Sequence, residues 1–159
     1  MRPKNNLVDS KPSDSSGDTE AEPDGTQNPV TSLSGARAVI VEDEGLLQMQ
    51  LSRMLRREGV EVVGTASDGE EAIRVVLDTR PDVVLMDINM PVMNGLEASE
   101  QILGQYPVCI VMLTANSGTE YQDRAKEIGT CGYVIKPVTS DTLLPQLLAA
   151  FDRFRRPQS

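Results

Sequence analysis

Residues 83–95 read VVLMDINMPVMNG. A short apolar run ends at one carboxylate, Asp87, and Met90-Pro91 then blocks continuation of a strand. A continuous apolar run of this length, bounded by breakers, is the mark of a strand buried on both faces. The same pattern recurs outward from it. AVIVED (38–43), VEVVGTA (60–66), VCIVMLT (108–114) and CGYVIK (131–136) read as four further strands.

Helical spacing fills the intervals. From Gly45 to Glu58, Leu46, Leu47, Met49, Leu51, Met54 and Leu55 recur at near-helical positions, and Gly59 stops the run. DGEEAIRVVLDT (68–79) is a helix with Asp68 as its cap and Pro81 beyond its end. Further helices run from Gly95 to about Leu103, from about Ser117 to Ile128 with Gly129 closing, and from Ser140 to about Arg155 with Thr139 or Ser140 as cap. Pro145 falls inside the last one, where it loses a donor and crowds the Asp141 carbonyl. The expectation there is a kink, or a helix that restarts near Leu144. Five strands alternating with five helices imply an α/β fold: a doubly wound parallel sheet with helices on both faces.

Composition narrows the function. The chain has 159 residues, a net charge of −9 and no tryptophan, so its core is aliphatic and its bulk surface does not suit DNA or an anionic membrane. Arg153, Arg155 and Arg156 form the notable basic cluster, read as a solvated helix end facing the negative dipole. No stretch approaches the roughly 20 apolar residues of a membrane span, and the N-terminus lacks the apolar core of a signal peptide. The expectation is a cytoplasmic protein, with Cys109 and Cys131 as reduced, buried small residues and a redox pair as the minor alternative. There is no histidine. That excludes histidine metal sites, Ser-His-Asp triads and a phosphohistidine within this chain. Residues 1–34, rich in Ser, Asp, Glu, Pro and Gly, are expected to be a disordered acidic tail. The folded domain is expected over 35–156, with 157–159 a short end and no output domain.

Ligands in doubly wound folds bind beyond the carboxyl ends of the strands. Those ends carry Glu42-Asp43, Thr65-Ala66, Asp87, Thr114 and Lys136-Pro137. Each alone is ordinary, but three acids, a hydroxyl and an ammonium on one edge are not explained as caps. Three close carboxylates must take up protons or a cation. Mg²⁺ (or Mn²⁺) suits one or two carboxylates with waters and phosphate oxygens, whereas Ca²⁺ would want more protein oxygens. A carboxylate can attack phosphorus to give an acyl phosphate, with a cation and a lysine neutralising the transferring group.

Residues from about 36 to 155 resemble the receiver domain of two-component response regulators. The resemblance rests on ordered motifs: VEDE (41–44), MDINMPVMNG (86–95), LTA (113–115) and GYVIKP (132–137). It implies a flavodoxin-like, chemotaxis-regulator-like sheet of order 2-1-3-4-5. It makes Asp87 the phosphoryl acceptor, Asp43 a direct Mg²⁺ ligand, Glu42 a ligand through water, and the Asn89 backbone carbonyl a further ligand. Thr114 resembles the switch hydroxyl, Lys136 the partner of the phosphoryl oxygens, and Tyr133 the aromatic that changes rotamer. The Lys136-Pro137 bond is cis in that family. A histidine kinase or histidine phosphotransfer protein would be the donor, acting in trans. An unidentified target protein would bind the surface of helix four, strand five and helix five. Such a protein is a switch rather than an enzyme.

Other assignments are weaker or open. Glu44 reads as a dipole-stabilising acid of the first helical turn, Met86, Met90 and Met93 as packing residues, and Gly95 as relief for a tight backbone. Asn89 and Asn116 sit near the mouth of the site. A haloacid-dehalogenase-type phosphohydrolase would need a DxD motif after the first strand, not Asp87-Ile88-Asn89 after the third. An unphosphorylated binding module of the same fold, and a phosphoryl sink, remain as alternatives. The ending LLPQLLAAFDRFRR is similar to receivers that continue into an RNA-binding antiterminator module. Its apolar residues either pack on the sheet or form a homodimer contact.

Overall fold

The computed structural model describes residues 32–115 and 118–156. Five strands, β1 (Arg37–Val41), β2 (Glu61–Ala66), β3 (Val83–Asp87), β4 (Cys109–Thr114) and β5 (Gly132–Ile135), alternate with five helices. These are α1 (Gly45–Arg57), α2 (Gly69–Thr79), α3 (Gly95–Leu103), α4 (Thr119–Ile128) and α5 (Ser140–Arg155). All strand pairs are parallel, and the order is β2-β1-β3-β4-β5. Ser117 and Asn116 lie outside the described residues.

Strand side chains alternate between two core layers, as the period of two requires. Ala38, Ile40, Val83, Leu85, Cys109, Val111 and Leu113 face one layer, closed by Leu51 and Leu55 of α1 and by Leu143, Leu147, Ala150 and Phe151 of α5. Val39, Val41, Val84, Met86, Ile110 and Met112 face the other, closed by Ala72 and Val76 of α2, Ala98 and Ile102 of α3, and Ala125 of α4. β1, β3 and β4 are buried on both faces, which is why their sequences are continuous apolar runs.

Caps set the helix ends. Asp68 accepts from the Glu71 N–H at 2.8 Å, and Asn94 with Glu97 forms a capping box at α3. Thr139 caps α5: its hydroxyl accepts from the Thr142 N–H at 3.3 Å, and the Thr142 hydroxyl accepts from the Thr139 N–H at 3.0 Å. α1 ends in a Schellman turn. Gly59 takes φ +82, its N–H bonds to the Arg56 carbonyl, and the Val60 N–H reaches the Leu55 carbonyl.

Three expectations need correction. α5 does not restart near Leu144 but runs as one helix from Ser140 to Arg155. Pro145 and Asp141 are both exposed, so the carbonyl that loses its donor can turn to water. Leu33, assigned by its surroundings to the tail, is 5% exposed and belongs to the α1–α5 core layer. The Ala36 N–H bonds to its carbonyl, and the Gly35 N–H to that of Gly59. Glu44 is the N-cap position of α1 rather than a first-turn residue, and its side chain makes no capping bond. The apolar residues of α5 mostly pack on the sheet, with Leu144 and Leu148 half-buried against the same layer.

Candidate functional site

The strand order turns back between β1 and β3, and the carboxyl ends of these two strands hold the acids. Glu42 follows β1, is 1% exposed, and has its N–H on the Ala66 carbonyl at 3.0 Å. Asp43, the next residue, is exposed. Asp87 ends β3 at 2% exposure, its Oδ1 accepting from the Asn89 N–H at 3.3 Å. One carboxylate oxygen from each of Glu42, Asp43 and Asp87 lies within 4.8 Å of the others. Lys136, just past β5, closes the group: its Nζ is 3.2 Å from Glu42 Oε1 and 3.4 Å from Asp87 Oδ2.

The electrostatics follow from burial. Desolvation pushes Glu42 up to about 7, with the Asp87 charge adding, against the Glu44 N–H and Lys136, which favour the anion. Burial also raises Asp87, opposed first by the Lys136 charge and then by the Asn89 N–H. Burial works against the charge on Lys136, but Asp87 and Glu42 outweigh it and hold the ammonium above its ordinary range. Glu42 Oε1 has this ion pair but no aligned hydrogen bond, and it is the buried side-chain oxygen left so among the described residues. A compact set of hard oxygens, one without an aligned donor, fits a small divalent cation.

Thr114 ends β4 at 1% exposure, and its carbonyl accepts from the Lys136 N–H at 2.7 Å. The hydroxyl residue and the lysine are thereby joined through the backbone. The Lys136-Pro137 bond is cis, as the resemblance implies. Asn89 is exposed two residues beyond Asp87, and Asn116 lies outside the described residues. Tyr133 stands apart on β5, 37% exposed, on the side of α4 and α5. Met86 is fully buried, and Met90 and Met93 pack half-buried against the α2–α3–α4 layer, so the methionines are core residues.

Three further residues position these groups, and of them only Gly95 was singled out by the sequence. Gln48 of α1 donates to the carbonyls of Glu42 (2.9 Å) and Ala66 (3.2 Å), tying the helix to the ends of β1 and β2. Gly95 sits so close to the acceptor strand that a Cβ there would lie 2.1 Å from the Asp87 carbonyl oxygen. The tight backbone expected at this loop-to-helix junction is thus a close approach to the Asp87 carbonyl. Gly69 meets the same loop from α2. Its N–H bonds to the Met93 carbonyl at 3.1 Å, and a Cβ would lie 2.3 Å from that oxygen. Between them the β3–α3 loop turns tightly: Val92 takes φ +69, and the Met93 N–H bonds to the Pro91 carbonyl at 2.7 Å.

The sheet order and helices are those of the flavodoxin-like fold that chemotaxis response regulators share. Residues 38–148 match the response regulator receiver domain, and the chain belongs to that family. It is 41% identical over 119 residues to the transcriptional regulatory protein PdtaR of Mycobacterium tuberculosis, which takes in 75% of this chain and 58% of that protein. The chain thus spans little more than half the length of that relative. A two-component response regulator of the LuxR family from an Aurantimonas species superposes with a TM-score of 0.71 at 33% identity, covering 79% of this chain and 91% of that one. The CheX-CheY-BeF3-Mg complex of Borrelia burgdorferi superposes with a TM-score of 0.71 at 25% identity, covering 74% and 90%. Among the described residues, no helix is long and apolar enough to cross a membrane.

Proposed function

We propose that the protein is a phosphorylation-dependent switch whose acceptor is Asp87. The observation that carries the reading is a 2%-exposed carboxylate within 3.4 Å of an ammonium and within 4.8 Å of two further carboxylates. Burial strips Asp87 of water while Lys136 keeps charge nearby, which suits a nucleophile toward phosphorus. Glu42, Asp43, Asp87 and the Asn89 carbonyl would hold Mg²⁺, which supplies charge neutralisation to the transferring group. The relative crystallised with BeF3 and Mg supports this choice of ion.

In the step itself an Asp87 oxygen forms the O–P bond while the donor's N–P bond breaks. The donor imidazole leaves with the electron pair and takes a proton. The donor is a phosphohistidine on a histidine kinase or phosphotransfer protein, since this chain has no histidine. Lys136 then pairs with a phosphoryl oxygen, and Thr114 donates to another. Thr114 and Lys136 share a backbone hydrogen bond, so a shift at one is felt by the strand that carries Tyr133. The output is regulation of a target protein through the α4–β5–α5 face, where Tyr133, Ile135 and Phe154 are exposed. On this reading the chain assists its own phosphorylation and hydrolysis and has no other substrate.

The test is intact mass after incubation with Mg²⁺ and a small acyl phosphate, beside Asp87→Asn and an EDTA control. One metal-dependent phosphoryl group, absent in the variant, is expected. Incorporation by Asp87→Asn at the wild-type level would overturn the assignment. No incorporation together with no Mg²⁺ binding would leave a receiver-fold binding module.

A further inference from the structure

The two cysteines form a cluster outside the phosphoryl site. Cys109 opens β4 and is fully buried, while Cys131 immediately precedes β5 and is half-buried. The Cys131 N–H bonds to the Ile110 carbonyl at 2.8 Å, and the β4–β5 register pairs Val111 with Gly132. Cys131 is therefore level with Ile110, one residue from Cys109. A strand spacing of about 4.8 Å and a rise of about 3.3 Å put their Cα atoms roughly 6 Å apart. That lies within the span of about 4.4–6.8 Å that a disulfide bridges. Both side chains enter the same core layer beneath α5.

Cys131 also lines a cavity of about 260 Å³ between α4, β5 and α5. The charged and titratable groups around it are Asp123 and Lys126 from α4, Tyr133 from β5 and Arg153 from α5. The Arg153 guanidinium donates to the Cys131 carbonyl oxygen. Cys131 thus borders a pocket with two cations and one anion, and Cys109 lies one residue along on the neighbouring strand.

We propose that Cys131 is a modification site for small peroxides, with Cys109 as its resolving thiol. The hydrogen bond from Cys109 lowers Cys131 to about 7, against burial and helped by Ile110 and Arg153. The same hydrogen bond, with burial, pushes the Cys109 thiol up. Cys131 is the less buried of the two and borders the cavity, which makes it the nucleophile. The Cys131 thiolate attacks one peroxide oxygen, the O–O bond breaks, and the leaving oxygen takes a proton. Cys109 then attacks the sulfenic sulfur, the S–O bond breaks, and the hydroxide leaves as water with the Cys109 proton. Two thiols are oxidised by two electrons and one hydrogen peroxide is reduced to two waters. The chemistry is independent of Asp87.

The test uses the full chain with iodoacetamide over a pH series, then hydrogen peroxide, with peptide mapping. Expected are one adduct at Cys131, half-maximal in rate near pH 7, and no label on Cys109 until denaturation. Peroxide should give an intramolecular disulfide that a dithiol reverses. Cys109→Ala should still form the Cys131 adduct, with its half-maximal rate moved up toward the ordinary thiol range, and stop at a dimedone-trapped sulfenic acid, and Cys131→Ser should lose both reactions. Labelling of Cys131 only in the ordinary thiol range of about 8.5 would overturn the proposal. So would failure to label, or peroxide oxidation to sulfinic acid with Cys109 intact. Asp87→Asn should behave as wild type throughout, which separates this outcome from that of the phosphorylation reading.

Discussion

Lys136 Nζ stands 3.4 Å from Asp87 Oδ2 although β4 lies between their strands. The lysine reaches over the end of β4, beside Thr114, and meets Glu42 at 3.2 Å as well. One ammonium therefore spans the carboxylates of β1 and β3. Lys136→Met keeps most of the stem and removes the charge. Mg²⁺ titration should show binding no weaker than wild type, because a competing cation is gone. Phosphorylation by acyl phosphate should slow by roughly a hundredfold, the cost of losing one charged stabiliser of a developing anion. A parallel loss of Mg²⁺ binding would mean that Lys136 only holds the site together.

Metal-free stability should fall as pH rises from about 4.5 to about 7. Glu42 is raised from 4.5 to about 7 in the folded protein, so over that window the folded state binds more protons than the unfolded one. Stability from a raised carboxyl is fully present below the lower value and lost as pH climbs to the upper one. At about 1.4 kcal/mol per pH unit, the loss is no more than about 3.5 kcal/mol. The raised Asp87 acts in the same sense. Mg²⁺ binds the deprotonated acids, so its stabilising effect should grow with pH through the same window. Thermal melts at several pH values, with and without Mg²⁺, check this. Glu42→Gln should flatten the metal-free curve, and an unchanged slope would remove Glu42 as its source.

Gly95→Ala should cost more than its exposed-helix value of about 1 kcal/mol gain would suggest, because its Cβ would meet the Asp87 carbonyl. A destabilisation of roughly 2–3 kcal/mol is expected. Gly69→Ala pushes on Met93 from the other side, and the β3–α3 loop must give way. Both variants should weaken Mg²⁺ binding more than a core truncation of equal stability cost does. Chemical denaturation beside Mg²⁺ titration separates the two effects. Equal Mg²⁺ affinity in all three would reduce both glycines to packing roles.

Much of this was legible because strands buried on both faces must be continuous apolar runs, and β1, β3 and β4 are such runs. The strand ends then announced Glu42, Asp43, Asp87, Thr114 and Lys136. Gln48, Gly69 and the backbone that Gly95 approaches were not legible. A glutamine reaching two carbonyls, or a glycine kept small by a neighbouring backbone, depends on contacts between elements far apart in sequence. Arg153, Arg155 and Arg156 are exposed at the end of α5, as expected of a solvated helix end, and only the Arg153 bond to the Cys131 carbonyl, across the sequence, was not legible.

Leu33 tests where the folded body begins. Its neighbours in sequence are polar, which hides one leucine that fills the layer between α1 and α5. At 5% exposure it carries the burial of a core residue. Leu33→Ala should destabilise by roughly 2 kcal/mol, the low end for a buried leucine, since Leu33 stands outside the helices and strands and its backbone can settle into the space. In a domain of this size that is a drop of several degrees in Tm. Ser32→Ala, one residue earlier and exposed, should leave Tm within about a degree. Phosphorylation of Asp87 should be unchanged in both, because Leu33 borders one cavity with Glu58, Leu144 and Leu148, away from the carboxyl ends of the strands. Differential scanning fluorimetry with the acyl-phosphate mass assay reads both. A Tm for Leu33→Ala equal to that of Ser32→Ala would return Leu33 to the tail.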